Sequence, residues 1–283
     1  MIIDDKQIAT AEVRDWKGLH LLHFQMSTCS LKVRVLLGEL GVKWVSHPIN
    51  LPRNENSTAW FLGINPRGVV PVLVHDGVVH VESNDILTYL DEQFSTAENS
   101  YFFHETDSQY MEAQELLKLE DGLHSDLRLL TVQFGPLPLK SEKNISNYEA
   151  NGIVDEYRKR EVSWWRNKSQ HGITNDDITS ACQNFSDVFS TLNERLEVRD
   201  WLMGERISIV DIAWFSNIQR LVMLGYPLKR HERLNRYYKQ LTMRAAFKAE
   251  QKHPVARLGS VVFAVFRSIS QLKGTRISKF LNA

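Results

Sequence analysis

The period at which apolar residues recur changes once along the chain. Over residues 18–94 short apolar runs alternate with stretches of helical spacing, whereas beyond residue 96 the helical spacing takes over. In the first part, residues 19–24 predict a strand and 31–40 a helix. Residues 44–49 alternate as a second strand, and 72–74 form a short buried third. Asp76-Gly77 is a hairpin turn, across which 78–81 predict a fourth strand. A helix over 84–94 follows, opened by Ser83. The order is β-α-β, a loop with room for a short helix, then β-β-α.

In the second part, residues 110–131, 147–168, 176–196, 208–224 and 232–249 read as helices. A block of strands followed by a block of helices predicts two domains rather than one intermixed sheet. The boundaries we expect are an N-terminal extension at 1–17, an α/β domain with a mixed four-stranded sheet at 18–96 and a polar linker at 97–107. An all-α domain at 108–255 and a C-terminal helical extension at 256–283 complete the chain. The extension carries Leu258, Val261, Val262, Phe263, Val265, Phe266, Ile269 and Leu272. It packs either over the cleft between the domains or simply on the helical domain.

Composition narrows the class. Lysine plus arginine equals aspartate plus glutamate at 34 each, so overall charge gives no reason to expect nucleic acid or an anionic membrane as partner. Two cysteines, Cys29 and Cys182, have neither disulfide-framework nor metal-ligand spacing and suit a reducing compartment. The first 20 residues are acidic and polar with no apolar h-region, and the apolar run at 261–266 is far short of the roughly 20 residues that span a bilayer. We expect a cytoplasmic protein without a membrane anchor. The scattered histidines show no H-E-x-x-H spacing, so no metal is expected.

Three constellations carry possible chemistry. The run Ser27-Thr28-Cys29-Ser30 lies at a strand-to-helix turn. Hydroxyls there, with the unpaired N–H groups and positive dipole of a helix start, suit a developing anion. The same serine or threonine can equally cap the helix and do nothing more. Next, Asn65-Pro66-Arg67-Gly68-Val69-Val70-Pro71 precedes a buried strand. A cis Val70-Pro71 bond would turn the Val70 backbone toward the first helix, where its N–H and C=O could pair with a peptide ligand; an ordinary turn also fits. Third, Glu82-Ser83 opens the next helix. Ser83 and the free N–H groups could hold a carboxylate and Glu82 an ammonium, which together describe an α-amino acid, although capping alone explains Ser83.

In this order and spacing the three resemble the cytosolic glutathione transferases: a small-residue turn, then N-P-x-G-x-V-P, then E-S, then Y-L at Tyr89-Leu90. The resemblance covers most of residues 19–94 and implies a thioredoxin-like fold for the first domain. It also implies that Val70 pairs with the cysteinyl backbone of glutathione, that Pro71 is cis, and that Glu82 and Ser83 hold the γ-glutamyl end. Alignment on Arg34 with the serine-type pattern S-x-x-x-x-[KR]-x-R puts Ser27 at the catalytic serine. The similarity to the zeta-class S-S-C-x-x-R-V-R adds Thr28 and Cys29, with a departure at Thr28. The S-L-K run of bacterial β-aryl etherases points to Ser30 instead.

The resemblance implies attack of glutathione thiolate on an electrophilic carbon of a hydrophobic co-substrate, in a homodimer, without metal. Dehalogenase, isomerase and β-etherase variants of that chemistry stay open, as does a glutathione-dependent thiol oxidoreductase using Cys29, or a non-enzymatic binding module. A second-substrate pocket is expected between the domains, lined by Phe24, Gln25 and Met26. Asp121 could approach the γ-glutamyl ammonium, though a solvated aspartate fits as well. Cys182, Trp164, Trp165, Phe102 and Phe103 read as packing residues. Ser208-x-x-Asp211 reads as a capping box with a structural role.

Overall fold

The structure is a computed structural model and describes residues 1–96, 101, 106–150 and 155–281. Phe102, Phe103 and most of the expected linker lie outside the described residues. Strands β1 (Leu19–His23), β2 (Val45–Pro48), β3 (Val72–His75) and β4 (Val78–His80) fall where the alternation puts them. They form one sheet in the order β2-β1-β3-β4. β2 runs parallel to β1 and β3 antiparallel to it, and β4 is antiparallel to β3. The parallel pair needs a crossover, which helix α1 (Thr28–Leu40) supplies. At the β3–β4 hairpin both Asp76 (φ 48°) and Gly77 (φ 84°) are left-handed, as a two-residue turn between twisted strands requires. A Cβ at position 77 would also stand 2.4 Å from the Arg14 carbonyl oxygen.

The chain folds as two compact units that do not follow chain order. One comprises Met1–Val33, Gly41–Leu87 and Pro138–Gly172, the other Arg34–Leu40, Thr88–Leu137 and Ile173–Ala283. In the first, residues 1–17 complete the sheet. The Ile3 N–H donates to the Val79 carbonyl at 3.0 Å and the Val81 N–H to the Met1 carbonyl at 2.9 Å, covering the outer edge of β4. Ile3, Ile8 and Val13 join Leu22, Val72 and Val74 in the core. Trp16 packs partly buried against the same cluster, and the spacing of these four residues follows neither a strand nor a helix period, which is why the sequence reads as an extension. The loop before β3 holds a short helix, α2 (Ala59–Leu62), and helix α3 (Ser83–Phe94) follows β4.

The remaining helices are α4 (Asp107–Gly122), α5 (His124–Phe134), α6 (Glu142–Ala150), α7 (Glu156–His171), α8 (Asn175–Arg195), α9 (Ile209–Leu224), α10 (Glu232–Met243), α11 (Ala245–Lys252) and α12 (Pro254–Leu272). Each of the expected helices over 110–131 and 232–249 is two, broken at Leu123 and at Arg244, whose backbone is extended. The expected helix over 147–168 is divided between α6 and α7, with 151–154 outside the described residues. In the second unit α9 is the central helix, buried nearly all round, with Trp214 fully enclosed and its indole N–H on the Leu116 carbonyl at 3.2 Å. Within α9 the Asp211 carboxylate accepts the Ser208 N–H and O–H at 2.7 Å each, and the Leu202 N–H and Tyr237 O–H at 2.8 Å each. Helix α12 docks on α5 and α9 through Phe263, which is buried against Gly135 and under the Arg220 guanidinium. Leu258, Val261, Val265, Phe266, Ile269 and Leu272 stay exposed.

Candidate active site at one end of the sheet

The strand register brings the three constellations together. Leu22 near the end of β1 pairs with Val72 at the start of β3, and Leu73 pairs with His80 at the end of β4. The β1–α1 turn, the Val70-Pro71 segment and the Glu82-Ser83 step therefore all emerge at one end of the sheet.

At the first, Ser27 precedes α1. Its carbonyl accepts the Leu31 N–H at 2.9 Å and its Oγ accepts the Ser30 N–H at 3.2 Å, so it is the helix cap. Capping uses the oxygen as an acceptor only. A hydroxyl also carries one proton to donate, and no acceptor for it occurs among the described residues. The capping and anion-binding readings are therefore compatible at Ser27. Ser30 differs: it is fully buried, and its Oγ accepts the Phe24 N–H at 3.4 Å. Thr28 and Cys29 are half-buried, as are Phe24, Gln25 and Met26.

At the second, the Val70-Pro71 bond is cis. Val70 lies outside the strand ladder, and among the described residues neither its N–H nor its C=O makes a backbone hydrogen bond. The loop that carries it is tightly held. Asn65 Nδ2 donates to the Val69 carbonyl at 2.9 Å and Asn56 Nδ2 to that of Gly68 at 2.6 Å. From the 138–172 segment, the Tyr148 hydroxyl donates to the Arg67 carbonyl at 2.8 Å, and Arg158 Nη1 donates to the Pro66 carbonyl at 2.6 Å.

At the third, Glu82 has φ 64°, a left-handed conformation that a non-glycine residue adopts at a cost of about 1–2 kcal/mol. Its carbonyl accepts the Ile86 N–H at 2.9 Å, so Glu82, rather than Ser83, occupies the cap position of α3. Ser83 is buried at the first helical residue. The Glu82 carboxylate is already paired on one oxygen. Arg67 Nη1 lies 2.5 Å from it, while Arg67 Nε holds Asp155 at 2.9 Å. Burial draws the Arg67 guanidinium pKa down, but the hydrogen bonds and charges of Asp155 and Glu82 outweigh it, and the pKa sits above its ordinary value. Burial pushes the Asp155 carboxyl up, yet the Arg158 N–H and the Arg67 guanidinium hold it below the usual carboxylate range. Lys32, buried in α1, donates to Asn84 Oδ1 at 2.8 Å and so ties the first turn of α3 to α1.

The sequence reading passes over Arg67, Asp155, Tyr148, Arg158 and Lys32. Arg67 stands inside the N-P-x-G pattern at its variable position and Lys32 at the [KR] position of the serine-type pattern, though neither is given a role there; Asp155, Tyr148 and Arg158 act through distances in sequence that no local pattern records. Asp121 is exposed on α4. A separate cleft of about 360 Å³ along α7 is lined by Glu149, Arg158, Arg166 and Gln170 and includes none of Ser27, Val70 or Ser83. Among the described residues no cluster of three His, Cys, Asp or Glu side chains could hold a metal ion.

Comparison with known proteins gives the family. Residues 26–93 match the family model "Glutathione S-transferase, N-terminal domain", and residues 158–240 match "Glutathione S-transferase, C-terminal domain". A zeta-class glutathione S-transferase of Euphorbia esula is 38% identical over 87 residues, which are 31% of this chain and 39% of that one. Protein LigF of a Sphingobium species is 39% identical over 82 residues, 29% of this chain and 32% of that one. These alignments thus span between about a third and two fifths of each relative's length. The crystal structure of the β-etherase LigF superposes with a TM-score of 0.71 at 23% identity, covering 82% of this chain and 98% of that one. A thioredoxin-like N-terminal fold with a helical C-terminal region, matched by both family domains, means that the chain belongs to the glutathione S-transferase family.

Proposed function

We propose that the protein is a glutathione transferase in which Ser27 stabilises the glutathione thiolate, Val70 pairs with the cysteinyl backbone, and the Glu82-Ser83 step receives the γ-glutamyl end. The observation that carries this reading is the Ser27 hydroxyl, which caps α1 yet keeps its proton uncommitted at the end of the sheet where Val70 presents its unpaired backbone. Thr28 is the neighbouring donor. Ser30, fully buried where Ser27 is only half-buried, has the weaker case.

A free thiol with a pKa near 8.5 is only a few per cent ionised at neutral pH. A hydroxyl donor and a helix N-terminus that lowered it by about two units would raise the thiolate to roughly three quarters, about 2.7 kcal/mol of differential stabilisation. The sulfur then attacks an electrophilic carbon of a hydrophobic substrate. A C–S bond forms, the leaving group departs with its bonding pair, and the thiol proton passes to solvent. The chain's part is to ionise the sulfur and hold both partners. We place this chemistry, of the detoxifying kind, in a cytoplasmic homodimer, following the family.

The test is a pH titration of thiolate absorbance with glutathione bound to the wild-type protein and to Ser27→Ala. A depressed thiol pKa that returns toward its free value in the variant supports the reading. An unmoved pKa shifts the role to Thr28 or Cys29, and absence of glutathione binding sinks it. The LigF relationship favours a second reading, thiolate attack that cleaves a β-aryl ether and expels a phenolate. Release of phenol from a model aryl ether, with the glutathione thioether as co-product, separates that from conjugation of an aryl halide.

A further inference from the structure

Charge is unevenly placed along this chain. Residues 251–283 contain six cations, Lys252, Arg257, Arg267, Lys273, Arg276 and Lys279, and no acidic residue, although the whole chain is balanced. Within this segment lies α12, in which Leu258, Val261, Val265, Phe266, Ile269 and Leu272 share one arc of about 140° at helical spacing. No polar side chain of the helix falls inside that arc. Its residues are exposed, Leu258 to 66%, Val261 to 60% and Leu272 to 89%. Six large apolar side chains in an unbroken exposed stripe are more than the scattered singletons of an ordinary surface.

The opposite face fixes how the stripe can be used. Phe263 is buried against Gly135, and the Arg267 stem covers Gly225, where a Cβ would approach it to 2.9 Å. By length and composition α12 could cross a bilayer. Crossing would pull Phe263 and Arg267 from these seats; lying flat keeps them.

We propose that α12 lies in the surface of an anionic lipid bilayer, its apolar arc in the headgroup–acyl boundary and the cations of this segment other than Arg267 among the lipid phosphates. Charge complementarity chooses this occupant over a second copy of the chain. Two such faces packed together would bring their cations against each other with no acid from this segment between them. A basic amphipathic helix with one apolar face has the composition of an interfacial anchor. The whole-chain charge balance, which argues against an anionic surface, averages over this end.

The experiment is flotation of the full-length protein with vesicles of phosphatidylcholine alone or with about 30% phosphatidylglycerol, at about 0.1 M and about 0.5 M salt. The expected result is binding to the anionic vesicles at low salt, at least roughly tenfold weaker on the neutral ones and at high salt. Lys273→Gln with Arg276→Gln and Lys279→Gln weakens binding by roughly fivefold per charge removed. Leu258→Glu with Val265→Glu, both at exposed positions, abolishes it while the circular dichroism spectrum and thermal midpoint hold. Absence of partition onto the anionic vesicles, or equal partition of the Leu258→Glu/Val265→Glu protein, overturns the proposal. So does a wild-type dimer in sedimentation velocity that this double variant dissociates while neither protein binds vesicles, since the face then belongs to a second copy.

Discussion

Arg67 and Glu82 are joined at 2.5 Å across the loop that carries Val70. The acid assigned to the γ-glutamyl ammonium is therefore already paired with a cation that also grips Asp155. One guanidinium thus orients the acid at the start of α3 and ties the Val70 loop to α7.

Removing that guanidinium separates binding from chemistry. In Arg67→Gln, KM for glutathione rises about tenfold, as expected for loss of a charge-assisted contact of about 1.5 kcal/mol, while kcat stays within about twofold. Steady-state kinetics with glutathione as the varied substrate measures both. A fall in kcat at unchanged KM would place Arg67 in the chemical step instead.

The two cysteines differ in burial. Burial, then the charge of Asp126, pushes the Cys182 thiol up to about 12, whereas Cys29 is half-buried at the α1 start. At about pH 8 a disulfide-exchange reagent titrates Cys29 in the native protein and reaches Cys182 only after unfolding. Mass spectrometry of the labelled peptides identifies which thiol reacted first.

Acid acts on the sheet through His80. Burial, then the N-terminal ammonium and His75, lowers its pKa to about 4 from 6.5. The folded protein thus binds fewer protons than the unfolded chain between those values. Stability from this site is complete above about pH 6.5 and is lost as pH falls toward 4, by an amount on the order of 3 kcal/mol. Urea unfolding at a series of pH values checks this; in His80→Gln that part of the slope disappears.

Asp211 tests the second unit. Burial raises the pKa of its carboxyl, and the four hydrogen bonds it accepts pull the other way. Asp211→Ala strands the Ser208 and Leu202 N–H groups in the core and costs about 3 kcal/mol. Tyr237→Phe removes one donor and costs about 1.5 kcal/mol. Denaturant midpoints compare the two.

The elements most visible in the sequence are those whose cause is local. The Asp76-Gly77 hairpin follows from two left-handed positions, α8 from apolar period, and α9 from apolar period plus the Ser208 start. The breaks at Leu123 and Arg244 escape because apolar spacing continues through both. At the site, the turn, Val70-Pro71 and Glu82-Ser83 were readable as motifs, since each is a run of neighbouring residues. The pairing of Arg67 with Glu82 spans 15 positions and that with Asp155 spans 88, and no periodicity records such a contact. The cap of α3 falls on Glu82 because its backbone takes φ 64°, which residue type does not announce.

The hold of Tyr148 and Arg158 on the carbonyls of Arg67 and Pro66 bears on how this protein can be recombined with its relatives. A chimera cut after residue 96, where strands give way to helices, would import the loop but leave behind the two side chains that fasten it. The transplantable piece is discontinuous, 1–87 together with 138–172, and a swap that respects it should keep glutathione affinity where a cut at the chain's apparent seam loses it.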